Sequence, residues 1–237
     1  MSDRLLDPFQ LTCYARTHGP ARLNPLDSVA PDGPNLYEQC NSIAEVVMPK
    51  RDRESFFYKQ GRGIFRGFLV YICTAPEFND PGNDPYYPEL RSITTVNKLF
   101  KLPVGELLTY VRKISAADFI PFEYKEAANK ILNSSASKKM LVSITETLSA
   151  NIQILNSPNI NRSLSASDFR IADILNTPFT LYIVLPTDKI DEYKAWINLI
   201  VNILIKGAIK QRGKPLPIMV RPTRLYSCLM SLPTWDE

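Results

Sequence analysis

The chain has 237 residues, and 28 lysines and arginines stand against 24 aspartates and glutamates, a formal net charge of +4. With 45% hydrophobic and 22% charged residues it can bury one good core or two small domains, which excludes disorder from end to end. Nine glycines and four cysteines exclude collagen-like and disulfide-scaffold classes, and nineteen prolines point to rigid connections between elements.

The cysteines Cys13, Cys40, Cys73 and Cys228 have no paired spacing, the pattern of a reduced cytoplasmic protein and not of a zinc site. His18 is the single histidine, so a His-based triad or a multi-His metal site is excluded, and Cys13 has no base beyond that residue to activate it. The longest apolar runs, 67–75 and 195–205, fall short of the roughly 20 residues a spanning helix needs. No apolar core of a signal peptide follows Met1, and the chain is expected to be soluble and cytoplasmic.

In chain order, residues 1–30 read as short extended pieces, because Asp7-Pro8 and Asn24-Pro25 push the residue before each proline toward extended geometry. Leu36, Cys40, Ile43 and Val47 then recur at helical steps up to Pro49. The strongest predicted helix runs from about Arg53 to Cys73, with Phe57, Ile64, Phe65, Phe68, Leu69 and Ile72 on one face. Gly61, Gly63 and Gly67 fall inside it. No Lys-Ser/Thr follows and no strand precedes, so they read as a close-packing stripe and not as a phosphate loop. After a proline-rich loop from Glu77 to Pro88, helices are predicted over 92–102, 104–114, 121–132 and 137–155, the last with Ser137 as N-cap.

The period then changes. Phe179 to Leu185 is a continuous apolar run ended by Pro186, expected to be a strand buried on both faces. A helix over 188–210 follows, with Ile190, Tyr193, Ile197, Ile200, Val201, Leu204 and Ile205 toward the core. Pro215 to Val220 reads as the start of another strand. The expected fold is α/β with an inserted all-α domain.

Several stretches carry a resemblance: Asp7-Pro8-Phe9, Ala21-Arg22-Leu23-Asn24-Pro25-Leu26-Asp27, the helix around Phe56-Phe57, Ser167-Asp168-Phe169, Leu181 to Pro186, and Asp188-Lys189-Ile190. In this order they resemble the cytoplasmic part of type IV secretion coupling proteins, the TraG/TraD-type conjugative DNA-transfer ATPases, over residues 5–220. The resemblance implies a fragment of a RecA-like P-loop ATPase. Residues 1–30 would be the N-terminal piece of its nucleotide-binding α/β domain, 31–165 the inserted all-α domain, 166–220 the return to the α/β domain, and 221–237 an atypical tail.

The resemblance also implies a homo-hexamer at the cytoplasmic face of the bacterial inner membrane, using ATP and magnesium. It would recruit DNA–relaxase complexes or effector proteins to secretion-channel components. The family's membrane anchor and phosphate loop belong upstream of Asp7, and its Asp-Glu motif belongs after Val220. The sequence has no anchor, no phosphate loop and no apolar strand leading into Asp236-Glu237, so no cofactor, no complete nucleotide site and no full hexamer are expected, and the ATPase is expected to be inactive. One hypothesis for the tail is a frameshift: Leu229 to Glu237, encoded TTG ATG AGT TTG CCC ACT TGG GAC GAA, reads Asp-Glu-Phe-Ala-His-Leu-Gly-Arg from the third base of the Leu229 codon. Codons that cannot yield Asp-Glu-Phe would end that idea. The alternatives are a stand-alone helical substrate-binding module and a decayed fragment.

Candidate DNA or partner contacts are Lys206, Lys210, Arg212 and Lys214, a basic run with no acid between, and the aromatic pair Tyr86-Tyr87. A solvated helix C-terminus and an ordered loop are the preferred uses of these residues. Lys50, Arg51, Arg53, Lys59, Arg62 and Arg66 form a second cluster, diluted by Asp52 and Glu54 and read as bundle-surface charge.

Overall fold

The computed structural model describes residues 2–79, 91–171 and 179–211. Strand β1 (Ser2–Leu6) stops at Asp7-Pro8, where proline has no N–H to continue a ladder. Asp7 is fully buried and organises the turn. Its carboxylate accepts from the Leu11 N–H at 3.0 Å, the Thr12 N–H at 2.8 Å and the Thr12 hydroxyl at 2.9 Å. Thr12 in turn caps helix α1 (Cys13–His18), its hydroxyl accepting from the Ala15 N–H at 3.1 Å. A 3-10 turn over Pro25–Ser28 leads to α2 (Leu36–Val47), α3 (Phe56–Thr74) and α4 (Pro76–Asn79). Then come α5 (Ile93–Phe100), α6 (Val104–Ala116), α7 (Phe122–Leu132), α8 (Ser137–Asn151), a 3-10 turn over Gln153–Asn156, and α9 (Pro158–Ser163). Strand β2 (Phe179–Ile183) and the long α10 (Ile190–Gln211) complete the described chain.

Helix α3 is the axis of the helical block and packs against α2, α5, α7 and α8. Ser55 starts it, its hydroxyl accepting from the Tyr58 N–H at 3.2 Å, so Arg53 lies outside the helix that periodicity begins there. Its glycines are where neighbours come close. A Cβ on Gly63 would stand 2.9 Å from the Ala127 Cβ, and one on Gly67 would stand 3.0 Å from the Tyr124 carbonyl oxygen. Helix α7 therefore crosses α3 at a distance only glycine allows, as the close-packing reading expects.

Strands β1 and β2 pair in parallel, Leu6 opposite Ile183, and the Val184 N–H donates to the Leu6 carbonyl at 2.9 Å. On the other edge of β1, the Leu5 carbonyl accepts from the Ala21 N–H at 2.8 Å. The expectation of a strand buried on both faces fails for β2. Leu181 and Ile183 pack on the core, but Tyr182 between them is 47% exposed. Alternation puts these residues on opposite faces, and among the described residues only one face is covered.

Further readings are corrected. Residues 1–30 contain a helix, α1, stabilised by the Asp7 and Thr12 side chains and not by apolar periodicity. Ser137 is inside α8 and caps nothing, since Ala136 holds the N-cap position without a side-chain bond, and the predicted 137–155 helix ends at Asn151. In α10 the fully buried stripe runs through Tyr193, Trp196, Leu199, Ile200 and Ile203, whereas Ile190 and Ile205 are exposed. Glu77 to Asn79 of the predicted loop belong to α4. Residues 80–90, the strand expected over 215–220 and the tail from 221 lie outside the described residues.

One seam joins the two ends of the block. The Leu23 N–H donates to the Ser163 carbonyl at 2.8 Å, the Asn24 N–H to the Ser167 hydroxyl at 2.9 Å, and the Asp168 N–H to the Arg22 carbonyl at 3.1 Å. The Trp196 indole N–H donates to the Ser163 hydroxyl at 3.0 Å, which ties α10 into the same seam. Arg22, Asn24, Ser167 and Asp168, which carry the sequence resemblance, are thus neighbours in space.

Candidate nucleic-acid interface

The sequence Arg53-Glu54-Ser55-Phe56-Phe57-Tyr58-Lys59 places a cap at Ser55, then three aromatics and a cation in the first turn of α3. Because Ser55 fixes where the helix begins, Phe56 and Lys59 sit one turn apart on one stripe that continues to Gly63 and Arg66. Phe56 is 53% exposed and Phe57 40%, and their rings meet edge to face at 5.5 Å. The two adjacent exposed rings make a small apolar patch beside the cations of the same helix.

Helix α7 supplies the opposite wall. It approaches over Gly63, and the two helices enclose a pocket of about 130 Å³ lined by Lys59, Gln60, Arg62, Gly63, Arg66, Glu126, Ala127 and Lys130. Four cations therefore meet in a pocket whose own carboxylate is Glu126. Lys130 bonds Glu126 one turn away, and that bond holds the Glu126 carboxyl below its ordinary range. Arg62 reaches back to Glu54 with both terminal nitrogens, one contact being 2.8 Å, and this fork holds the Glu54 carboxyl down to about 2.

Arg66 and Lys59 differ from these. Arg66 donates to the Asn41 side-chain oxygen at 3.2 Å and to the Glu123 carbonyl at 2.9 Å, and its guanidinium lies 4.8 Å from the centre of the Tyr124 ring. All three partners are neutral, and its Nε is buried without an acceptor. Lys59 is exposed and forms no ion pair among the described residues.

The sequence-predicted residues are placed as follows. Lys206 is exposed near the end of α10, where its ammonium reaches the Ser42 hydroxyl across a groove between α2 and α10. Lys210 belongs to the last turns of the same helix. Arg212, Lys214, Tyr86 and Tyr87 lie outside the described residues. The second basic cluster divides. Lys50 pairs with Glu45 at 2.7 Å, and Arg51 donates to the Asn151 side-chain oxygen at 2.9 Å while stacking over Tyr58. Lys59, Arg62 and Arg66 turn to the pocket. Sequence reasoning missed Lys130 and the exposure of Phe56. The signal for the first was the Gly63 and Gly67 stripe, which marks where a second helix must cross. Cys13 contacts Arg16 and not His18, which stacks on Tyr14.

Among the described residues no helix is long and apolar enough to cross a membrane, and no group of three or more His, Cys, Asp or Glu is placed to hold a metal ion. The sequence model of the family described as type IV secretory system conjugative DNA transfer matches residues 5–217. A comparison with curated proteins gave no match.

Proposed function

The chain belongs to the type IV secretory system conjugative DNA-transfer family, and from that premise we propose that it recruits DNA–relaxase complexes or effector proteins to the secretion channel without itself hydrolysing ATP. The observation that carries this reading is the basic and aromatic face on α3 and α7, joined to a family role in conjugative DNA transfer. We place the helical block of residues 31–165 as a domain inserted into a RecA-like α/β unit. The parallel pairing of β1 with β2 from the two sides of that block supports this.

The family's ATP and magnesium do not fit these residues. A phosphate cradle needs backbone N–H groups free at a Gly-rich loop and a lysine behind them. No Gly-rich loop ending in Lys-Ser/Thr occurs in the 237 residues, and Gly61, Gly63 and Gly67 are interior to α3, pressed against α7 and α8. The chain acts in this reading as a docking piece at the inner membrane's cytoplasmic face, beside channel components.

The test uses the purified full chain against a reconstituted DNA–relaxase complex, with co-elution in size-exclusion chromatography as readout and magnesium-dependent ATP turnover measured in parallel. Co-elution without turnover is the expected result. Turnover above a heat-killed control, or failure to retain either the relaxase complex or an effector, removes the reading.

A further inference from the structure

We draw no further inference here: the strongest candidate, the groove between α2 and α10 lined by Ile43, Ile203 and Ile209 and crossed by the Lys206 contact to Ser42, carries nothing because nothing in the structure shows what covers it.

Discussion

Arg22 and Asp168, 146 positions apart, bind each other through both backbone and side chain. The Asp168 carboxylate accepts from the Arg22 N–H at 2.8 Å and from the guanidinium at 2.9 and 3.2 Å, while the Asp168 N–H returns a bond to the Arg22 carbonyl. The ionic part of this pair is weak, because both side chains are more than a third exposed and water screens them.

Asp168→Ala is therefore expected to destabilise the chain by about 1–2 kcal/mol, mostly by stranding the Arg22 N–H. Arg22→Ala, which keeps that bond, is expected to lose less than about 1 kcal/mol. Urea unfolding measures both. Equal losses would mean that the guanidinium, and not the backbone, does the holding.

The glycines of α3 give opposite outcomes within one helix. A Cβ on Gly61 meets its nearest neighbour, the Met48 methyl, at 3.7 Å, an ordinary contact, so Gly61→Ala gains helix propensity and stabilises by up to about 1 kcal/mol. Gly67→Ala drives a methyl against the Tyr124 carbonyl, which is backbone and yields poorly, and the expected net effect is a loss of about 1–2 kcal/mol. Thermal melts of the two variants should move in opposite directions; a shared direction would contradict the close crossing of α3 and α7.

Acid sensitivity should localise to Glu54. Its carboxyl is held at about 2 in the folded chain by the Arg62 fork, against about 4.3 when unfolded. A folded value below the unfolded one means that the contribution is complete above about pH 4.3 and disappears as pH falls toward 2. Glu54→Gln is expected to flatten the stability profile across that window and leave the slope above pH 5 as it was. Unfolding midpoints measured from pH 7 to pH 2 decide it.

Lys206 is already engaged by Ser42. Replacing Lys206, Lys210, Arg212 and Lys214 together by alanine is expected to leave the salt dependence of oligonucleotide binding unchanged, as for a solvated helix end. A flatter slope would make the end of α10 a phosphate contact.

The helical block was legible because its apolar residues recur at 3.6-residue steps, and α2 and α3 lie within a few residues of where Leu36 to Val47 and Phe57 to Cys73 predict them. Helix α1 was not, since what holds it is a fully buried carboxylate on Asp7, and no periodic pattern announces a side-chain cap. The basic pocket was half legible. Lys59, Arg62 and Arg66 share a helix face that spacing reveals, but Lys130 arrives from α7, and sequence distance says nothing about which helix crosses which. Glu54, which dilutes the basic cluster on paper, is in fact committed to Arg62, and neither Lys59 nor Arg66 contacts a carboxylate among the described residues.

The pairing of β1 with β2 sets an order of events on the ribosome. Leu6 is made ahead of its partner Ile183, which emerges only after every helix from α1 to α9. At roughly 5–20 residues per second the strand waits on the order of ten to thirty seconds for its neighbour. During that wait its ladder groups are open to any extended chain nearby, and the exposed charges of Asp3 and Arg4 disfavour such a joining.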